Sequence, residues 1–240
     1  KIWSVPAPYH SGKMYTQAPN RKKAECVRNV SHWSIAKKEH RFESKSFNKK
    51  KILKDLHIYS PSMEALLNKI KEIDDADMKT HGTHFKHAIY SDLSQSGRGA
   101  KLVASVLESA GFQPCLVTTG GIDVIASKKN FAGFGILTTA PLFGKKTSVK
   151  YTKKLLSVYN ERPANTHGKD MRIIILDSGF KEGIDLFDVR YMHIMERQKT
   201  RAESEQVLGR STRLCGQSGL KFVPNKGWTL DVFTYHLEHD

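Results

Sequence analysis

The residues best suited to chemistry in this 240-residue chain lie between Arg201 and Cys215, in RAESEQVLGRSTRLC. Thr200 and Glu203 have the T-x-x-E spacing of a capping box, which predicts a helix beginning at Arg201. Gly216 stands where a helix commonly stops. Gln206, Arg210 and Arg213 are spaced by four and then three, so a helix puts them on one face. Val207 and Leu214 are then free to pack inward, and Gly209 admits a neighbouring backbone. Two guanidinium forks beside an amide match the oxygens of a phosphate chain. A solvated helix with two surface arginines has the same spacing, and the helix alone does not decide between the two.

The elements that would position this helix start just upstream. Ile173 to Leu176 is a short apolar run of buried-strand type. It leads into Asp177-Ser178-Gly179-Phe180-Lys181-Glu182-Gly183-Ile184-Asp185-Leu186. The residues S-G-F-K-E-G-I-D-L resemble motif V of superfamily 2 helicases, and Q-V-L-G-R-S-T-R resembles motif VI. The specific feature is Q-x-x-G-R-x-x-R at this distance behind an x-E-G-I-D-L turn. The family's usual I-G-R-x-x-R is L-G-R-S-T-R here, which keeps the chemistry. Three weaker fragments, H-I-Y-S-P-S-M-E-A-L-L-N-K-I, the strand ending Y-S-D-L, and S-V-Y-N-E-R-P-A-N, resemble the helicase-like subunits of large cytoplasmic DNA viruses, of the poxvirus and African swine fever virus early-transcription-factor type. The spacer before motif V is longer than in ordinary helicases.

The resemblance covers residues 55–220 and implies the second, C-terminal RecA-like domain of a superfamily 2 motor: an α/β fold, mainly a parallel sheet with helices on both faces. Such motors hold ATP with Mg2+ between two RecA-like domains, and the first domain supplies the phosphate loop and the magnesium-binding acid. Neither motif occurs in this chain, so the resemblance implies nucleotide binding only together with an N-terminal RecA-like domain of the same polypeptide, and no hydrolysis by these residues alone. By motif position Arg213 corresponds to the arginine finger, Arg210 to a contact on the same phosphate, and Gln206 to the group that places water or senses the γ-phosphate. Gly183, Asp185 and Glu182 correspond to the nucleotide side of motif V. Ser91, Thr138, Thr139, Ser178 and Lys181 correspond to contacts on a nucleic-acid strand, with DNA favoured over RNA and transcription machinery as a further partner. A basic RecA-like module that binds DNA or a transcription partner without catalysis is the alternative. For a viral protein of this kind the host cytoplasm and the virion are the expected settings.

Composition is consistent with these expectations. The formal net charge of +15 favours an anionic partner, nucleic acid first. Three scattered cysteines without C-x-x-C indicate a reducing, intracellular compartment. No apolar run reaches the roughly 20 residues that span a bilayer, and no membrane partner is expected. The chain begins at Lys1 without Met, which suggests a piece of a longer protein. G-x-x-x-x-G-K-[ST] and G-x-G-x-x-G are both absent, which argues against a self-contained nucleotide enzyme of Rossmann type.

Residues 1–54 form a basic extension or interdomain connector. Basic runs such as Arg21-Lys22-Lys23 and Lys49-Lys50-Lys51 alternate with Trp3, Tyr9, Trp33 and Phe42, a pattern that fits single-strand contact or aromatics pinned to the main core. Residues 55–240 form the RecA-like domain. Within it, Leu56-Tyr59 is a strand candidate, and a helix opens at Ser60-Pro61 with a polar break from Asp74 to Lys79. His81, His84 and His87 belong to a loop and its exit, not to a metal site. Strands are expected at His87–Tyr90, Cys115–Thr118, Phe134–Leu137, Ile173–Leu176, Tyr191–Met195 and Leu230–Tyr235. Helices are expected at Leu102–Ala110 and Tyr151–Tyr159. The first two strands and the helix between them read as a βαβ unit.

Overall fold

The structure is a computed structural model that describes residues 41–93, 99–115, 131–144, 146–180, 183–196, 198, 200–212 and 215–235. Helices α1 (Lys49–Tyr59) and α2 (Pro61–His81) precede strand β1 (Lys86–Ser91). Then follow α3 (Ala100–Ser109), β2 (Gln113–Pro114), β3 (Gly133–Leu137), α4 (Val149–Tyr159), β4 (Ile173–Asp177), a 3-10 turn (Ser178–Phe180), β5 (Val189–Ile194), α5 (Arg201–Gly209) and β6 (Asp231–Thr234).

The six strands form one sheet in the order β2-β3-β4-β1-β5-β6, and every pairing is parallel. This is the expected α/β architecture built on a parallel sheet. The Ile173–Leu176 run lies at the centre of the sheet and is buried throughout, as a continuous apolar strand in a parallel sheet must be. Adjacent residues of β1 show that helices cover both faces. Lys86 donates to the Tyr159 carbonyl of α4 at 2.7 Å, whereas His87 lies 3.8 Å from Asp74 of α2. Successive strand residues point to opposite faces, so α4 and α2 lie on opposite sides. The strand, helix, strand unit β1-α3-β2 is parallel as expected, but β4 and β3 are inserted between its two strands.

The structure differs from the expected elements along α1 and at the end of α2. Leu56-Tyr59 is helical, not a strand. The Asn48 side chain caps α1 by accepting from the Lys51 amide, and Ile52 and Leu56, four apart, are buried together. Lys49, Lys50, Lys51 and Lys54 are good helix formers on the open side. The expected boundary at 54/55 therefore falls inside a helix. Residues ahead of it are also tied down. The Phe42 amide donates to Ser105 Oγ on α3, and Glu43 pairs with Lys101 at 2.8 Å.

Helix α2 does not break at Asp74 but continues to His81, where Gly82 closes it with φ of +66°. Two of its acidic residues, Asp74 and Asp77, find partners inside the protein. Asp74 takes Arg172 Nη1 at 2.7 Å, and Asp77 accepts from the Tyr191 hydroxyl at 2.8 Å. The three histidines expected in one loop are split: His81 ends α2, His84 lies 3.6 Å from Asp74, and His87 is buried in β1. Strand β2 lies ahead of the expected Cys115–Thr118, whose last three residues fall outside the described residues.

A polar seam runs through the sheet's interior. His87 Nδ1 and His193 Nε2 are 3.0 Å apart, with rings stacked at 5.2 Å. His193 Nδ1 contacts the Tyr235 hydroxyl at 2.8 Å. Burial pushes His87 down to about 4 and His193 well below its ordinary value. Burial likewise lowers Lys86 to about 7. An unfolded histidine binds its proton near 6.5, while folded His87 refuses it until about 4. The neutral pair's contribution is therefore whole above about pH 6.5 and is lost as pH falls towards 4, at a cost of about 3 kcal/mol for His87. Urea unfolding followed across this window should show stability rising with pH, and His87→Asn should flatten that rise. An unchanged slope in the variant would remove His87 as its source.

Candidate functional site

Parallel strands collect their functional groups at their carboxyl ends. Here β3 ends at Leu137 and β4 at Asp177, side by side. Asp177 is fully buried, yet it carries a carboxylate, so it needs donors. Thr138 Oγ1 at 2.7 Å, the Thr139 amide at 2.7 Å and Thr139 Oγ1 at 3.0 Å all donate to its Oδ2. The Gly179 amide donates to its Oδ1 at 2.9 Å. The hydroxyl pair expected to hold a nucleic-acid phosphate is thus spent on a neighbouring carboxylate. Thr138 is buried, whereas Thr139 is exposed beside the 3-10 turn that begins with Ser178.

Ser91 is also placed differently from expectation. It lies at the end of β1 but is fully buried, and its hydroxyl donates to Glu196 Oε1 at 2.8 Å. The Asp92 amide takes the other oxygen of the same carboxylate at 2.8 Å. Burial raises the pKa of Glu196, and the bonds from Ser91 and Asp92 oppose that rise. Glu196 therefore ties the ends of β1 and β5 together, and Ser91 does not face outward.

The capping box at the start of α5 forms as expected: Thr200 Oγ1 accepts from the Glu203 amide, and Glu203 reaches back to the Thr200 amide. The helix, however, ends at Gly209 rather than near Gly216. The Arg210 and Ser211 amides turn back to the Val207 and Leu208 carbonyls, and Thr212 Oγ1 takes the Leu208 carbonyl at 3.2 Å. Glycine followed by two hydroxyl residues favours such local bonds over a further helical turn. Gln206 is exposed on the helix, while Arg210 follows its last residue and is only 9 % exposed. Arg213 and Leu214 lie outside the described residues.

Arg210 meets the 184–186 turn directly. Its Nη1 donates to the Ile184 carbonyl at 3.3 Å, and its own carbonyl accepts from the Leu186 amide at 3.1 Å. The two sequence motifs are therefore joined by a side chain and by backbone. This is a strut, not the expected free contact for a phosphate. Next to it Gly183 is exposed with φ of +79°, a conformation only glycine adopts without strain. A Cβ there would meet nothing within 4 Å, so the backbone at this corner is open to an approaching ligand. Asp185 is partly buried, and its carbonyl accepts from Asn160 Nδ2 at 2.8 Å. Glu182 and Lys181 lie outside the described residues.

Sequence reasoning passed over four residues that organise this region: Asp177, Glu196, Asn160 and Arg162. Asp177 closes the apolar run that signalled the strand. Asn160 and Arg162 sit in the fragment S-V-Y-N-E-R-P-A-N, where only their proximity to motif V could have drawn attention to them.

No family model matches this chain. Among curated proteins, a product of Acanthamoeba polyphaga mimivirus bearing the name ATP-dependent RNA helicase R563 is 27% identical over 163 residues, 68% of this chain and 24% of its own length. A second mimivirus protein, named ATP-dependent RNA helicase R350, is 29% identical over 127 residues, 50% of this chain and 15% of its own length. The termination factor NPH-I homologue of African swine fever virus is 30% identical over 166 residues, 61% of this chain and 23% of its own length. The chain thus spans a quarter or less of the curated relatives it matches. Among solved structures, the C-terminal part of the Fun30 ATPase domain aligns with a TM-score of 0.47 and 15% identity, covering 94% of this chain and 61% of that one.

The Asp177 cluster generates a stability prediction. Asp177→Ala strands four donors beside a cavity and should cost about 3 kcal/mol in urea unfolding, against about 1 kcal/mol for Thr139→Ala. Equal and small losses would show that the carboxylate does not hold the two strand ends.

Proposed function

Starting from a chain homologous to viral helicases, with motif V and motif VI sequences of superfamily 2 on a parallel RecA-like sheet, we propose that it is the second motor domain of an ATP-dependent nucleic-acid translocase. The observation that carries this reading is the pair of bonds between Arg210 and the 184–186 turn. They bring the nucleotide-facing turn and the arginine-bearing segment into one rigid unit, as a half-site for a nucleotide requires.

In this reading ATP with Mg2+ lies between this domain and a first RecA-like domain, which contributes the phosphate loop and the magnesium-binding acid. Arg213 is the arginine finger, neutralising charge on the transferring phosphoryl group. Gln206, exposed on α5, orients the attacking water. Gly183 supplies the open backbone, Asp185 the partner for a ribose hydroxyl, and Glu182 steadies the turn. Arg210 acts from behind as the strut between the motifs. Thr139, Ser178 and Lys181 border the strand, and the bound nucleotide draws the two domains together so that strand contacts alternate between them. The strand is DNA in a viral transcription setting, and the positive charge of the chain supports its capture.

The test uses the full-length polypeptide that contains this chain. Arg213→Ala should lower nucleic-acid-stimulated ATP turnover by about 10³-fold or more while strand binding persists. Wild-type turnover in the variant would overturn the assignment. Affinity for labelled DNA and RNA of one sequence, measured with and without ATP, separates the remaining possibilities. Binding that ignores ATP would favour the non-catalytic module, and preference for RNA would reverse the choice of strand.

A further inference from the structure

We propose that Arg162 is a positioning residue that fixes where the arginine of motif VI is presented, by clamping the exit of motif V to the backbone behind motif VI. The inference rests on the motor reading above, and it assigns a role to a residue outside the helicase motifs.

The geometry begins with the ribbon from Ile184 to Asp188. Asn160, in the loop after α4, takes one side of it. Its Nδ2 donates to the Asp185 carbonyl at 2.8 Å, and its Oδ1 accepts from the Phe187 amide at 2.8 Å. Arg210 takes the other side through Ile184 and Leu186. At the ribbon's end the Asp188 amide donates to the Gly216 carbonyl at 2.7 Å. The Asp188 carboxylate is fully buried, so it demands a charged partner.

Arg162 provides that partner and more. Nε and Nη2 grip the two carboxylate oxygens at 2.7 and 2.8 Å. Nη2 also reaches the Cys215 carbonyl at 3.2 Å and the Gly216 carbonyl at 2.6 Å. The guanidinium lies 4.6 Å from the centre of the Phe187 ring. The Gly219 amide completes the carboxylate at 2.9 Å, and a side chain at Gly219 would strike Asp188 at 2.7 Å. A planar fork of five donors can serve these acceptors at once, whereas a lysine's point charge cannot.

The sequence position of these acceptors gives the clamp its meaning. The Arg210 carbonyl is fixed by Leu186, and the Cys215 and Gly216 carbonyls are fixed by Arg162. Arg213 lies in sequence between those two anchors. An arginine finger works only when its charge stays within a fraction of an ångström of its working position against the phosphate, and anchors that bracket it in sequence can set that position from a distance. Arg162 therefore acts through Arg213 without touching nucleotide.

A double-mutant cycle on single-turnover hydrolysis, in the full-length polypeptide, tests this. Arg162→Ala should lower the rate about 10²-fold with the KM for ATP near wild type, while the buried Asp188 it leaves unpaired lowers the melting temperature. Arg162→Lys, which keeps the charge and loses the fork, should fall between the two. In an Arg213→Ala background Arg162→Ala should have no further effect, because the finger it positions is gone. Effects that multiply across the two sites, or an Arg162→Ala rate equal to wild type, would overturn the proposal. If Arg162→Ala fails to fold, Arg162→Lys carries the same cycle with the same two outcomes. If Arg213→Ala itself leaves the rate unchanged, the motor reading fails and this one with it. A crippling Arg213→Ala with multiplicative Arg162 variants removes only the clamp.

Discussion

The connection from β4 to β5 sets the hardest physical requirement in this fold. The strands are parallel, so the chain leaving Asp177 must travel back along the height of the sheet before Val189 can start. Most parallel connections make that journey as a helix, which satisfies its own backbone. This one uses a single 3-10 turn and an extended ribbon, so its amides and carbonyls need partners from elsewhere. They find them in Asn160 on one flank and in Arg210 and Gly216 on the other. The ribbon is a strand without a sheet, held by a loop and a helix end. The 183–188 ribbon and the end of α5 are therefore one mechanical object, and Asp188 with Arg162 is the knot at its base.

The same economy governs the buried charges. Few charged groups in the core are left to the hydrophobic environment alone. Asp177 is wrapped in hydroxyls and amides, and Glu196 is held by Ser91 and Asp92. Arg172 crosses to Asp74 on α2, and its guanidinium lies 5.2 Å from the Phe112 ring. Each of these links joins two elements that are distant in sequence. Buried polar pairing of this kind penalises any arrangement that leaves one member unmatched. It adds directional pegs to a sheet whose apolar runs, rich in isoleucine and leucine, could otherwise slide against the helices.

The sheet strands and the capping box were legible because each depends on local signals: an apolar run with turn residues behind it, or a hydroxyl three residues ahead of a glutamate. The polar break at Asp74 was misread because the acidic residues look solvated until Arg172 and Tyr191, far along the chain, are placed opposite them. Leu56-Tyr59 looked like a strand because four residues cannot reveal a helical period whose other half lies in a lysine run. For the site, type and spacing singled out a region in which Gln206 is exposed and Gly183 open. They could not tell that Ser91 and Thr138 point into the protein, since a hydroxyl at a strand end serves a carboxylate as readily as a phosphate. Arg162 and Asn160 were invisible for the opposite reason: nothing local distinguishes a clamp whose acceptors, a carboxylate and backbone carbonyls, lie more than twenty residues away.

The strand order has a bearing on how the molecule is assembled. Strand β1 is among the first elements in sequence, yet both its neighbours, β4 and β5, come from the second half of the chain. Strand β3 likewise pairs with β4. During synthesis the first strand must wait, unpaired, while α3, β2, β3 and α4 emerge, and β4 is the element whose arrival lets the two halves of the sheet join. Such distant pairing closes large loops before it is rewarded. The helices α1 and α3, which pack on one another, can form that contact before β4 and β5 arrive.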